Sequence, residues 1–181
     1  MLNIHIMKYY KYLDINTFKV NNFLIKYCNN NLTKPSIFWN NVDTQKFLHE
    51  CPEFQKLFDP LNITVNKIAI TVSTNNSYND GIHKDHDIKK VRINLPILNC
   101  EQSITNFYRS SIVPEKKFLR NGIPYYSINR KDCELVDSFC LDRPAALNIQ
   151  ELHQVVIPTP NILRISCTIR FNENIDYLLS S

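Results

Sequence analysis

The sequence predicts a mainly β fold: an antiparallel sandwich or jelly roll with N-terminal helices packed on it. Three observations point there. Helical patterning is confined to roughly the first sixty residues, and short strand-like runs fill the rest. The first of those runs, Ile63-Thr64-Val65 and Ile68-Ala69-Ile70-Thr71-Val72, are short and β-branched, which suits a pleated surface. At 181 residues, with 44% hydrophobic and 21% charged side chains, the chain has the length and composition of one globular domain with a sizeable core.

The elements follow in order. Residues 14–28 read as a helix capped by Asp14, with Phe18, Phe23, Leu24 and Tyr27 as a rough apolar stripe. Residues 43–58 read as a second helical stretch. Asp43 is its cap, Phe47, Leu48, Phe54, Leu57 and Phe58 form its apolar side, and Pro52 breaks or bends it. Further strands are expected over 91–98, 104–108, 125–128, 134–139, 145–149, 153–157 and 163–171. Residues 110–123, with Pro114 and Gly122, read as an irregular insertion. The expected organisation is a single domain over 1–181: helical support to 60, a β core over 61–171, and a loosely docked tail from 172. Only two glycines accompany 23 asparagines and 22 isoleucines. AT-rich codons account for that bias, and Asn29-Asn30-Asn31 and Asn75-Asn76 are expected to replace glycine in turns of positive φ.

The net charge of +4 comes from 21 basic and 17 acidic residues that nowhere concentrate into a basic stretch. Lys89-Lys90 and Lys116-Lys117 read as solvated pairs, which argues against a nucleic-acid partner. The six cysteines form no C-x-x-C pair and no zinc spacing. Lys8, Tyr9, Tyr10 and Lys11 interrupt the N-terminus where a signal peptide would need an apolar core, and no apolar run is long enough for a membrane. The expectation is a reducing, cytoplasmic setting with free thiols and no membrane partner. In that setting the acceptor pattern Asn62-Ile63-Thr64 carries no meaning.

The residues with chemistry fall in three places. His83 and Asp85 lie two apart, so on a strand both face one way, whereas His86 faces the other. Asp87 shares the face of His83 and Asp85 and offers an acceptor to a ligand histidine. His153, the only histidine after His86, begins a strand-like run. One carboxylate and two imidazoles make the 2-His-1-carboxylate facial triad that holds Fe(II) with positions left open. The competing reading is a polar loop at 82–87 and an ordinary core or surface histidine at 153. Arg164 follows across Pro158-Thr159-Pro160-Asn161, a turn expected to return the chain as the neighbouring strand. Arg164, Ser166 and Thr168 share one face of that strand. An arginine facing a sheet interior needs an anion, and a guanidinium can grip a carboxylate with paired bonds. Otherwise Arg164 faces outward in a salt bridge.

The order H-x-D, distal His, R-x-S, which this chain spells as His83-Lys84-Asp85, His153 and Arg164-Ile165-Ser166, resembles the Fe(II)/2-oxoglutarate oxygenase superfamily. The resemblance covers roughly residues 63–171. The segment Val91-Arg92-Ile93-Asn94-Leu95-Pro96-Ile97 looks most like the aspartyl/asparaginyl β-hydroxylase and proline cis-hydroxylase branch. The stretch from Arg92 to Tyr108 is also similar to small oxygenases of phages and marine microbes. The resemblance implies a double-stranded β-helix and an Fe(II)-, 2-oxoglutarate- and O2-dependent hydroxylase acting on a C–H bond of an amino acid or peptide side chain, or of another small molecule. It implies His83, Asp85 and His153 as the catalytic metal ligands, and Arg164 with Ser166 as the clamp on the far carboxylate of 2-oxoglutarate. Asn94, Thr105 and Tyr108 are then candidates to line the pocket beside 2-oxoglutarate, or else show ordinary strand polarity. Arg92 meets a substrate or co-substrate carboxylate, or forms a structural salt bridge. Two rivals are a cupin-type metal enzyme, against which the H-x-D pattern and the two glycines argue, and a jelly-roll binding module without iron.

Overall fold

A computed structural model describes residues 8–32, 38–74, 81–118, 122 and 124–180. β1 (Tyr10–Tyr12), α1 (Phe18–Asn31) and β2 (Phe38–Asn41) come first, followed by α2 (Thr44–Glu50) and α3 (Pro52–Lys56). Next are β3 (Val65–Ser73), β4 (Ile82–Asp85), β5 (Val91–Leu98), β6 (Ile104–Arg109) and β7 (Glu115–Phe118). β8 (Pro124–Ile128), β9 (Glu134–Cys140), β10 (Ala145–Asn148), β11 (Leu152–Val156) and β12 (Arg164–Phe171) complete the strands. They form two six-stranded antiparallel sheets, ordered β1-β10-β5-β12-β3-β2 and β7-β8-β4-β11-β6-β9.

Period-two patterning decides what each face of the first sheet does. In β12, Ile165, Cys167, Ile169 and Phe171 join the main apolar core, while Arg164, Ser166, Thr168 and Arg170 face the space between the sheets. β5 divides likewise: Val91, Ile93 and Leu95 enter the core, and Arg92 and Asn94 face the cavity. The helices close the core from outside. α1 contributes Val20, Leu24 and Cys28, one residue per turn. Asp43 caps α2 by accepting from the Lys46 amide at 3.1 Å. Pro52 ends that helix and opens α3 at a position where its missing N–H costs nothing. Phe47, Phe54, Phe58 and Phe171 then run edge-to-face from helix to sheet, with centroid separations of 5.0, 5.9 and 4.9 Å.

Several expectations need correction. α1 starts at Phe18, not Asp14, because the Asn16 side chain accepts from the Phe18 amide and turns the chain in there. Asn29-Asn30-Asn31 ends that helix and makes no turn, while Asn75-Asn76 lies outside the described residues. The asparagines at positive φ are Asn62, Asn99 and Asn161, at 53°, 51° and 60°. The 110–123 insertion contains β7, whose four exposed residues carry no apolar alternation to reveal a strand. The first sixty residues add two edge strands, β1 and β2, to the helices. The tail is docked: Ile175, Leu178 and Leu179 are buried, and the Lys8 amide donates to the Leu179 carbonyl. The turn after β11 does not return the chain as a neighbouring strand; it carries it across to the other sheet.

Phe54→Ala removes the middle ring of the aromatic chain. The expected loss is about 3–5 kcal/mol in urea unfolding, against about 0.5 kcal/mol or less for Phe18→Ala on the exposed side of α1. Equal losses would contradict this account of the core.

Candidate metal centre

Antiparallel pairing of β4 with β11 sets His83 opposite His153. Their rings lie 4.5 Å apart between centroids. Asp85, two residues along β4, comes to the same face, with Oδ1 3.9 Å from His83 Nε2. One donor atom from each of the three residues falls within 4.8 Å of the others. Each imidazole is held through its second nitrogen. His83 Nδ1 lies 3.2 Å from the Gly81 carbonyl and His153 Nδ1 2.8 Å from the Glu151 carbonyl. A carbonyl only accepts, so Nδ1 carries a proton in both rings, and Nε2 is the nitrogen left to meet a metal. Burial first, and then the neighbouring His83, pushes the His153 imidazole down to about 4, so it is neutral at neutral pH. Asp87 does not orient a ligand histidine, contrary to expectation, because backbone carbonyls already hold both rings. His86 borders the same cavity rather than turning away from it, yet it packs on Tyr126 at 5.6 Å and stands outside the cluster of three.

Arg92 governs the carboxylate. Its Nη1 lies 2.7 Å from Asp85 Oδ2 and its Nη2 donates to Asp87 Oδ2 at 3.0 Å. Burial alone would raise the Asp85 carboxyl pKa. Arg92, His153, His83 and Arg170, in that order, together outweigh it and hold the group below the usual carboxylate range. The Trp39 ring lies under both arginines, 5.3 Å from the Arg92 guanidinium carbon and 5.9 Å from that of Arg170.

Across the cavity, Arg164 is 3% exposed and no carboxylate among the described residues pairs with it. Its Nε donates to Ser103 Oγ at 2.9 Å and its Nη1 to Ser166 Oγ at 3.2 Å. A buried guanidinium with only neutral partners is costly unless a ligand supplies the anion. Apolar walls from Phe139, Leu141, Leu147 and Val155 complete a cavity of about 190 Å³. One water needs only roughly 10–15 Å³ of such space, so the cavity has room for an organic ligand.

The cavity therefore brings together His83, Asp85, His153, Arg92, Asn94, Thr105, Arg164 and Ser166. Tyr108 is not among them. On β6, Thr105 and Phe107 face inward, while Tyr108 packs with Ile82, Ile128 and Leu152 and bonds Gln154. Alternation accounts for that separation, since Tyr108 shares its face with Asn106, whose side-chain amide donates to its hydroxyl at 3.3 Å. Sequence reasoning alone misses Trp39, Ser103, Tyr125 and Arg170 as residues of the site. Only Arg170 carries a legible signal, because it continues the alternation of Arg164, Ser166 and Thr168.

No family model and no curated protein matches the chain by sequence. Solved structures match by shape. The epimerase SnoN, crystallised in complex with Fe3+, alpha ketoglutarate and nogalamycin RO, superposes with a TM-score of 0.51 at 11% identity over 90% of this chain and 78% of its own. A second structure of SnoN, the non-heme alpha ketoglutarate dependent epimerase from nogalamycin biosynthesis, gives 0.50 at 10% identity over 90% and 77%. AviO1 from Streptomyces viridochromogenes Tue57 gives 0.42 at 10% over 87% and 83%. The likeness to SnoN concerns the fold, and this chain has the jelly-roll architecture.

Removing Arg92 leaves two carboxylates facing one another. Arg92→Ala is expected to cost on the order of 3 kcal/mol in urea unfolding, the lower end for breaking a buried pair, since Asp85 and Asp87 keep 25% and 15% of their side-chain exposure. A loss no larger than that of a surface substitution would show that the pair is dispensable.

Proposed function

We propose that the chain is an Fe(II)/2-oxoglutarate-dependent oxygenase. One observation carries the reading: a 2-His-1-carboxylate cluster faces, across a single cavity, a buried arginine that has no anionic partner among the described residues. The donor set fits ferrous iron, because two imidazoles and one carboxylate leave coordination positions open. The fold likeness to a protein crystallised with Fe3+ and alpha ketoglutarate supports the same choice. His83, Asp85 and His153 would hold the metal. When bound, iron supplies the activation of O2 coupled to decarboxylation of 2-oxoglutarate.

The chain's own groups do the rest. The Gly81 and Glu151 carbonyls lock the two Nε2 lone pairs toward one point. Arg92 keeps Asp85 ionised and engages Oδ2, which leaves Oδ1 turned toward the histidines. Arg164 and the Ser166 hydroxyl grip the far carboxylate of 2-oxoglutarate, and Ser103 fixes the plane of the guanidinium. The apolar walls exclude water from the reacting centre. The substrate is a small molecule, an amino acid or a peptide side chain, hydroxylated at a C–H bond. The strand Arg92-Ile93-Asn94-Leu95-Pro96 and its likeness to the β-hydroxylase and proline-hydroxylase branch support that choice.

Purified without oxygen, the protein is expected to bind one Fe(II) and to develop a weak visible charge-transfer band on adding 2-oxoglutarate. His83→Ala and His153→Ala are expected to abolish metal binding in calorimetry, whereas His86→Ala retains it. The opposite pattern, or a protein that takes up no iron, would overturn the assignment and favour a binding module.

Arg164→Ala is expected to weaken 2-oxoglutarate binding roughly ten- to a hundredfold while iron affinity holds. Arg164→Lys recovers only part, because lysine lacks the planar fork. Titration of the band measures both. A substrate that gains one oxygen atom on turnover separates hydroxylation from the epimerisation performed by SnoN.

A further inference from the structure

We infer that Arg170, seated against Trp39, is the docking point for one anionic group of the substrate, a carboxylate or a phosphate ester. The inference rests on the oxygenase reading for the word substrate; the geometry stands without it.

Arg170 lines the same cavity as the candidate metal ligands, one third exposed. Its Nε lies 3.3 Å from Asp87 Oδ2 but makes no hydrogen bond, and is a buried donor left unpaired. Asp87 is already committed, since Arg92 donates to that same oxygen. The like charge of Arg92 is also felt: burial first, then Arg92, lowers the pKa of Arg170. An unpaired buried donor on a guanidinium, beside a second guanidinium that has taken the shared carboxylate, calls for another anion.

That anion is not the one placed at Arg164. The two arginines share a face of β12 six residues apart, which is about 20 Å along a strand. A five-carbon dicarboxylate gripped at Arg164 would turn its other carboxylate toward the metal cluster, which leaves neither end for Arg170. Charge leads to the same conclusion. Three guanidiniums, Arg92, Arg164 and Arg170, and one carboxylate, Asp85, line the cavity, and Asp87 behind it pairs with Arg92. A divalent metal and a doubly charged co-substrate cancel each other, so one positive charge is left for the substrate. The Trp39 indole, tied by its N–H to Asn41 Oδ1 at 2.9 Å, gives the adjoining part of the substrate a flat apolar support.

Trp39 is the only tryptophan in the chain, so its emission reports on this end of the cavity. The full chain, first alone and then with zinc(II) and 2-oxoglutarate, is titrated with N-acetyl amino acids and with their uncharged amides. Nucleoside monophosphates and the parent nucleosides form the second arm. In at least one of the two states, the charged member of a pair is expected to bind roughly ten- to a hundredfold more tightly. The arm that responds identifies the source of the anion. Arg170→Gln is expected to level acid and amide, and Arg170→Lys to restore part of the difference, with the melting temperature of each variant close to the parent.

Equal binding of charged and uncharged partners in both states of the parent protein overturns the inference whether or not the variants fold. So does a preference that survives Arg170→Gln. Absence of the iron–2-oxoglutarate band with the acid preference intact would sink the oxygenase reading alone.

Discussion

A carboxylate sunk between two imidazoles needs a positive charge beside it, and Arg92 supplies that charge. Burial works against the ionised Asp85, and Arg92 is the largest of the four influences that keep it ionised. Arg92 in turn needs a second carboxylate to satisfy its fork, which Asp87 provides, and the Trp39 ring covers the pair from β2. The cluster therefore depends on residues from both sheets: Asp85 from β4 in one, Arg92 from β5 and Trp39 from β2 in the other. An interaction of this kind ties the sheets together where the cavity would otherwise let them part.

The same economy appears along β12. One strand seals the apolar core with Ile165, Cys167, Ile169 and Phe171, and lines the cavity with Arg164, Ser166, Thr168 and Arg170. The helical N-terminal third explains how a polar face survives there. α1, α2 and α3 cover the opposite face of the sheet, so apolar burial on that side stabilises a strand whose other side carries two arginines. The cavity-facing cations are costly by themselves, and the core behind them offsets that cost.

The two guanidiniums of β12 that line the cavity differ in their settings. Arg164 lies deep, with the neutral hydroxyls of Ser103 and Ser166 as partners. Arg170 is a third exposed and lies against the Trp39 ring.

The sequence by itself determined the elements whose physics is local. Period-two alternation located β5 over Val91–Leu98 and found β6, β8, β9, β10, β11 and β12 to within a residue or two, and Asp43 and Pro52 marked the start and break of the helices. The i, i+2 spacing put His83 and Asp85 on one face, and Arg164 with Ser166 on another. Short edge strands such as β1 and the polar β7 escaped, because their pairing partners rather than their own patterns hold them in place. Tyr108 was misplaced although alternation speaks against it: it lies three residues from Thr105, on the opposite face of β6. Only the tertiary structure decided what depends on non-local pairing: that His153 sits across from His83, that the turn after β11 changes sheets, and that Arg92 is spent on two aspartates. Trp39 and Arg170 likewise belong together only because β2 and β12 flank β3. Contacts of that kind join residues far apart in the chain, and no periodicity within one segment encodes which distant segment will lie beside it.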